Sequence, residues 1–310
     1  MTLDLVTGGA GFIGSHLVEA LLAQGRAVRV LDNLSTGSLD NLNGLGAEFI
    51  RGDIRDPNAV VRAMGGVERV FHLAAMISVP GSMADPMGCY EVNLMGSLQV
   101  LEAARHKGVK CVVMASSAAV YGEAEKVVDE QAPAQPLSPY AASKLAMEQL
   151  GSLYVRAYGL PAISLRFFNV FGPRQSPDSP YAAAIPIFIK TLLDGGTPTI
   201  FGDGLQRRDF VFVRDVVSAL IKAAEAQGAA GEVFNIASGQ SISILELLER
   251  LRNLIPASQG PVFAPPRLGD IRFSVPDVEK ARDHLNFEPS YTLEKGLAET
   301  IAWFRSIERS

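Results

Sequence analysis

Tyr140 and Lys144 stand four residues apart in the run Tyr140-Ala141-Ala142-Ser143-Lys144, so on a helix they share one face. An ammonium held beside a phenol stabilises the phenolate and draws down a tyrosine pKa that starts near ~10. Such a tyrosine can exchange a proton with a substrate near neutral pH. Upstream, a strand over Lys110 to Ala115 delivers Ser116-Ser117-Ala118-Ala119-Val120-Tyr121-Gly122 at its carboxyl end, and Ser117 can give a short hydrogen bond to the same substrate oxygen. Alone, Y-x-x-x-K is usually a solvated helix face. Its catalytic reading depends on what the rest of the chain places beside it.

That context begins at Thr7-Gly8-Gly9-Ala10-Gly11-Phe12-Ile13-Gly14, between an apolar strand (Leu3, Leu5, Val6) and an amphipathic helix (His16 to Ala23). Here Gly9 allows a tight turn, Gly11 lets the backbone approach phosphate oxygens, and Gly14 permits close helix-to-strand packing. The N–H groups of the new helix then point at an anion, the arrangement that cradles a dinucleotide pyrophosphate. A second strand, Ala27 to Leu31, ends in Asp32, a carboxylate placed to accept from a ribose hydroxyl. With no arginine beside it, Asp32 would repel a ribose phosphate, so NAD is preferred to NADP. The polar loop Asn33-Leu34-Ser35-Thr36-Gly37 suits the adenosine end. A cationic nicotinamide ring near Tyr140 would further favour the phenolate.

Further on come a short strand (Ala47 to Arg51), Gly52-Asp53-Ile54, a helix opened by Asp56-Pro57, and a strand from Val67 to His72. Asp53 caps a helix or meets the adenine amine; His72, at the end of an apolar strand, reads as a satisfied core histidine. Small residues in Leu73-Ala74-Ala75-Met76-Ile77-Ser78 suit a backbone passing near a flat ring. A long helix, roughly Asp85 to Lys107, carries Asn93 in an apolar stripe, where an amide needs partners because burying it unpaired costs on the order of 1 to 3 kcal/mol. Strands alternating with helices imply a parallel sheet with ligands at the carboxyl ends of its strands. The expected class is α/β: a Rossmann-type doubly wound parallel sheet with a smaller α/β C-terminal substrate domain. Residues 1–168 and 209–238 would form the first part, the chain returning to the sheet domain through Val211 to Val213, a helix over Asp215 to Ala226 and a strand over Val233 to Ile236. Residues 169–208 and 239–310 would form the second.

Composition narrows the class. With hydrophobic residues at 48% and charged residues at 20%, the chain can bury a substantial core, and no apolar stretch reaches the length that spans a bilayer. Met1-Thr2-Leu3-Asp4 leads straight into the first strand without a secretory pattern, so a cytoplasmic location is expected. Cys89 and Cys111 have neither disulfide density nor metal-ligand spacing and read as free thiols, and no metal is expected. A net charge of -5 gives no general attraction for nucleic acid, so an anionic ligand must be met by local arginines.

The segments GGAGFIG, Asp32, SSAAVYG and YAASK resemble those of the extended short-chain dehydrogenase/reductases. LRFFNVFGPRQ, GDGLQRRDFVFVRD, FNIASG and RLGDIR resemble the nucleotide-sugar branch, in particular UDP-galactose and UDP-N-acetylglucosamine 4-epimerases. The resemblance runs from residue 3 to about residue 281. It implies catalysis by Ser117, Tyr140 and Lys144, and a UDP-sugar substrate held by Ser78, Ser117, Tyr140, Asn169, Arg208, Arg267 and Ser274. NAD is implied to lie against Gly8, Gly11, Phe12, Ile13 and Gly14, then Asp32, Asn33, Ser35, Thr36 and Gly37. Its remaining contacts fall on Asp53, Ile54, Leu73, Ala74, Ala75, Asn93, Phe167 and the Tyr140–Lys144 pair. Arg208 and Arg267 match the pyrophosphate positions, where planar guanidinium groups donate paired hydrogen bonds.

Within that family, dehydratases need an extra acid and base near the serine and decarboxylases carry a glutamate there, whereas this chain has Ala118 and Ala119. Reversible oxidation at C4 through a transient 4-keto sugar follows. Ala119 also departs from the threonine or serine many such epimerases carry, which removes one substrate hydrogen bond. The position seven residues after Arg267 lines the sugar pocket, and a tyrosine there excludes an N-acetyl group; Ser274 is small. Acetylated UDP-sugars are therefore expected as substrates, with the plain pair open. A uronate epimerase, a 4-keto-sugar reductase and a non-catalytic NAD-binding protein are the alternatives. Family members commonly dimerise through two long helices, here Asp85 to Lys107 and Pro139 to Tyr158, so a homodimer is expected.

Overall fold

The computed structural model describes residues 2–124, 126–177, 183–256, 260–266 and 271–307. Its first half alternates strand and helix. In order come β1 (Leu3–Thr7), α1 (Phe12–Ala23), β2 (Ala27–Asp32), β3 (Glu48–Arg51), α2 (Pro57–Ala63) and β4 (Arg69–His72). Two short helices, α3 (Val79–Ala84) and α4 (Pro86–Tyr90), lead into α5 (Ser97–Lys107). Then follow β5 (Cys111–Ser117), α6 (Pro139–Tyr158) and β6 (Ala162–Phe167).

Local sequence accounts for these limits. Asp56 caps α2 by accepting from the Asn58 N–H at 2.9 Å, with Pro57 opening the first turn, which leaves Asp53 outside the cap. Ser138 does the same for α6, whose last turn closes on left-handed Gly159. The long helix expected over Asp85 to Lys107 is interrupted by a wider, π-type turn at Glu91–Gly96, a distortion that often marks a functional position. The strand expected to stop at Ala115 continues through Ser117, because Ser116 and Ser117 still pair with Arg166 and Phe167 of β6.

In the second half, β7 (Asn169–Phe171), α7 (Ala184–Leu193), β8 (Thr199–Phe201) and β9 (Arg207–Phe212) precede α8 (Val213–Glu225) and β10 (Val233–Ile236). The chain closes with β11 (Ser241–Ser243), α9 (Ile244–Leu254), β12 (Val262–Ala264), β13 (Phe273–Ser274), α10 (Glu279–Leu285) and α11 (Leu293–Ile307).

Seven strands form one parallel sheet in the order β10-β6-β5-β4-β1-β2-β3. Alternate strand side chains feed two cores: Val6, Val30 and Phe71 meet α1 and α8, while Leu5, Val70 and Met114 meet α2, α5 and α6. The Met114 methyl fills the space beside Gly151, where a Cβ would lie 2.2 Å from it, so α6 and β5 meet there through a flexible side chain.

The expected helix and strand that return to this sheet are found as α8 and β10, whereas Val211 and Phe212 before them belong to a different sheet. Residues Arg207–Phe212 pair with β7, β11 and β13 in a smaller sheet, while α8, β10 and, later in the chain, α10 join the large one, Ala281 and Leu285 of α10 being buried in its core. Aromatic residues explain the preference, since Phe171, Phe210 and Phe212 bury together with α7, α9 and α11 in a third core. Among the described residues no helix is long and apolar enough to cross a membrane.

Candidate active site

At the carboxyl ends of β1, β2 and β4, one glycine-rich turn is crossed by two loops. Gly8 has φ +71°, and a Cβ on it would lie 2.7 Å from the Ala74 nitrogen, so the 73–75 loop passes directly over the turn. The tight turn thus belongs to Gly8; Gly9 is glycine because a Cβ there would strike Val30 at 2.8 Å. On Gly14 a Cβ would come within 2.2 Å of the Gly8 oxygen, and on Gly37 within 2.8 Å of Ala10. Gly11 differs, since a Cβ there would meet only the Gly8 oxygen, at 3.2 Å. Its bare backbone opens α1, whose N-terminus has no side-chain cap and no acidic residue in its first turn. Uncapped donors behind a bare backbone fit a pyrophosphate.

The Asp32 carboxylate is buried and accepts from Ala10 N–H at 3.0 Å and Leu34 N–H at 2.8 Å, one bond per oxygen. Each oxygen keeps accepting capacity for a ribose hydroxyl. Beyond it, Ser35 and Thr36 are exposed, and Asn33 donates to Asp53 at 2.9 Å. Arg55 also grips Asp53 and, with Asn33, holds its carboxyl well below the usual range. Ile54 turns inward, and a Cβ on Gly96 would lie 2.6 Å from its methyl. Asn93 is buried, its amide donating to Met76 O and Ser143 Oγ, both at 3.0 Å, and accepting from Met76 N–H at 2.8 Å. It thus ties the loop after β4 to α6, and its amide is engaged by protein partners. His72 bonds Thr7 at 2.7 Å and Ser97 at 2.9 Å, and burial lowers its pKa to about 3, which makes it a neutral core histidine.

Tyr140 lies in the first turn of α6, where its otherwise orphan N–H donates to Ser82 Oγ of α3 at 3.1 Å. Ser117 lies near enough to the Tyr140 phenol to pull its pKa down, and Ser117 Oγ accepts from the Ala119 N–H at 3.1 Å. Lys144 is buried one turn further on, donating to Ala115 O at 2.7 Å, with Nζ 5.9 Å from the Tyr140 ring centroid.

The lowering of the Tyr140 pKa expected from Lys144 together with a nicotinamide ring is not reached by Lys144 alone. Burial pushes the phenol above its ordinary value, with Ser117 pulling the other way. Burial also brings Lys144 down to about 8. The ammonium is turned toward a backbone carbonyl, so this pair needs a further positive charge to place the proton on lysine rather than on tyrosine.

A cavity of about 270 Å³ brings Ser117 and Tyr140 together with Asn169, Arg208 and Ser274. Phe167 lies on its wall. The small sheet accounts for the grouping: Asn169 of β7 pairs with Phe210 of β9, Ser274 of β13 pairs with Arg208, and the Asn169 amide donates to Asp209 O at 2.8 Å. Ser78 instead caps α3, accepting from Gly81 N–H at 2.9 Å. Arg267 lies outside the described residues. Ala118 and Ala119 face the cavity, and among the described residues lining it there is no Asp or Glu. Sequence reasoning missed the apolar walls Ile77, Val79 and Phe273, which carry no chemical signal of their own. It also left Tyr121 and Ser82 unassigned, although Tyr121 stood inside the SSAAVYG segment.

Residues 5–237 match the model of the NAD dependent epimerase/dehydratase family. A UDP-glucose 4-epimerase of Mycolicibacterium smegmatis is 43% identical over 309 residues, 97% of this chain and 98% of its own. Among solved structures, UDP-glucose 4-epimerase of Thermotoga maritima with UDP-glucose superposes with a TM-score of 0.96 at 40% identity, covering 99% of this chain and 100% of that one. UDP-N-acetylglucosamine 4-epimerase of Methanobrevibacter ruminantium M1, in complex with UDP-N-acetylmuramic acid, gives 0.95 at 39%, covering 99% of each. Similarity that extends through the glycine turn, the serine strand and the tyrosine helix alike makes this chain a member of the NAD dependent epimerase/dehydratase family.

Proposed function

We propose that the chain is a UDP-sugar 4-epimerase that keeps its NAD bound through repeated turnovers and accepts UDP-N-acetylglucosamine and its galacto epimer, as well as the plain pair. The carrying observation is the cavity that joins Ser117 and Tyr140 to Asn169, Arg208 and Ser274 without an acidic lining residue among those described. Elimination of water or loss of carbon dioxide calls for an added acid or base beside the serine, and Ala118 and Ala119 supply none. Bound NAD supplies an acceptor for the electron pair leaving C4 and a positive ring charge that favours the phenolate. Tyr140 takes the proton of the C4 hydroxyl and later returns it, Ser117 holds that oxygen, and Lys144 stabilises the phenolate. Arg208 and Asn169 hold the diphosphate while the 4-keto sugar turns. We take the large sheet with its helices as the cofactor-binding part and the small sheet with α7, α9 and α11 as the substrate-binding part.

Incubation of the purified chain with a panel of UDP-sugars, without added NAD, tests the assignment by NMR identification of products. Interconversion of C4 epimers is expected; a dependence on stoichiometric reduced cofactor would instead mark a reductase. At Ser274, on the cavity wall, a tyrosine side chain is expected to lower kcat/KM for the acetylated pair at least about tenfold more than for the plain pair, because overfilling a packed site costs about 1 to 3 kcal/mol. Equal losses on both pairs would remove the size-selecting role. For assembly, Met87, Met95, Leu153 and Tyr158 are exposed on or between α4, α5 and α6, an apolar surface that supports pairing of two copies. Light scattering is expected to give twice the mass of one chain, and a monomer would refute the pairing.

A further inference from the structure

Asn235, in the FNIASG segment, has no role in the proposed reaction, yet it is fully buried on β10 between Phe234 and Ile236, which are fully buried too. An apolar residue would be the cheaper occupant of that position unless the amide's bonds do something an alkyl group cannot. Its Oδ1 accepts from the Tyr121 hydroxyl at 2.6 Å. Its Nδ2 donates to Val128 O at 3.1 Å and to Asp277 O at 3.0 Å. Its own N–H donates to the Glu130 carboxylate at 2.6 Å.

The two carbonyls that share Nδ2 come from segments far apart in sequence that also bond each other. Val128 N–H donates to Val275 O at 3.0 Å and Asp277 N–H to Val128 O at 2.8 Å, around a parallel bridge between Val128 and Pro276. Tyr121, Val128 and Ser274 all line the cavity. Tyr121 is fixed from a second side as well, with the Arg166 guanidinium 4.7 Å from its ring centroid. One asparagine side chain therefore gathers three pieces of the cavity wall onto the edge strand of the large sheet.

We propose that Asn235, acting with Tyr121, is a positioning residue for substrate recognition: its amide pins the 126–130 and 273–277 segments so that Ser274 and Val128 are held in register with the Ser117–Tyr140 pair. This rests on the UDP-sugar reading of the cavity. Catalytic groups on β5 and α6 do not depend on the pin, so its loss acts on binding before chemistry.

Two variants and two measurements test it. Tyr121→Phe keeps the ring beside Arg166 and removes the hydroxyl that donates to Asn235 and also meets Arg166, and it is expected to raise KM for UDP-N-acetylglucosamine by about 3- to 10-fold with kcat within about twofold. Asn235→Ala is expected to raise KM further. In both variants, hydrogen exchange of the free chain is expected to quicken at amides of 126–130 and 275–278 by about tenfold or more, and to stay unchanged in α6. Unchanged exchange in these segments, or a fall in kcat at constant KM, overturns the pin. The exchange measurement needs no substrate, so should the wild type turn over no UDP-sugar, the reaction assignment fails while exchange still decides the pin.

Discussion

Replacing Tyr140 with phenylalanine is expected to lower kcat by about a thousandfold, within the range of about 10² to 10⁴ that a positioned acid or base contributes. The variant removes one oxygen that lies near the Ser117 side chain, and it leaves the ring, the α6 backbone and the N–H bond to Ser82 in place. KM and the amount of NAD carried through purification are therefore expected to change little. Product formation followed by NMR would show the effect directly, and an active variant would sink the assignment of Tyr140 as the proton-transfer group.

The pH dependence gives a second view of the same pair. Lys144 supports the phenolate only while protonated, and its pKa is brought down to about 8 by burial. The rate is therefore expected to fall as pH rises through about 8, because a base with a lowered pKa loses its charge earlier than usual. The residual activity of Lys144→Met should lack that alkaline limb. An unchanged limb in this variant would mean that another group titrates there.

The largest effect on stability is expected from Glu148→Gln. Glu148 and Arg166 are almost wholly buried and meet at 2.8 and 2.9 Å, while Ser116 donates to the same carboxylate. Neutralising Glu148 leaves the Arg166 charge stranded, and breaking such a pair costs about 3 to 5 kcal/mol. Chemical denaturation reads this as a lower midpoint with little change in slope. Since most of the loss comes from the stranded charge, the double variant Glu148→Leu, Arg166→Met is expected to recover much of it. A single variant within about 1 kcal/mol of wild type would show that water or another group compensates Arg166. Ser116 precedes Ser117 on β5 and Glu148 follows Lys144 by one turn of α6, so the Ser116–Glu148 hydrogen bond also fastens together the two elements that carry Ser117, Tyr140 and Lys144.

Most of the chemistry was legible in the sequence because it is local. A glycine turn between strand and helix, a carboxylate at the end of the next strand, and a tyrosine and lysine at helical spacing each fit within a few residues. The helix start at Asp56-Pro57 was equally local. What sequence could not supply was pairing across distance. Residues 211 and 212 read as part of the path back to the sheet domain, and only the folded chain shows aromatic burial holding them in β9 of the small sheet.

Sequence reasoning also assigned the Tyr140 pKa from the spacing of Lys144, although the direction of the ammonium and the burial of both groups decide that shift. Asn93 was expected to need partners, and only the folded chain names them as Met76 and Ser143. Residue types and their spacing therefore determined the cofactor turn, the class of sheet and the proposed reacting groups. The shape of the substrate cavity, the proton balance of the Tyr140–Lys144 pair and the pin at Asn235 were decided by tertiary structure, because each depends on which distant groups are brought together away from water.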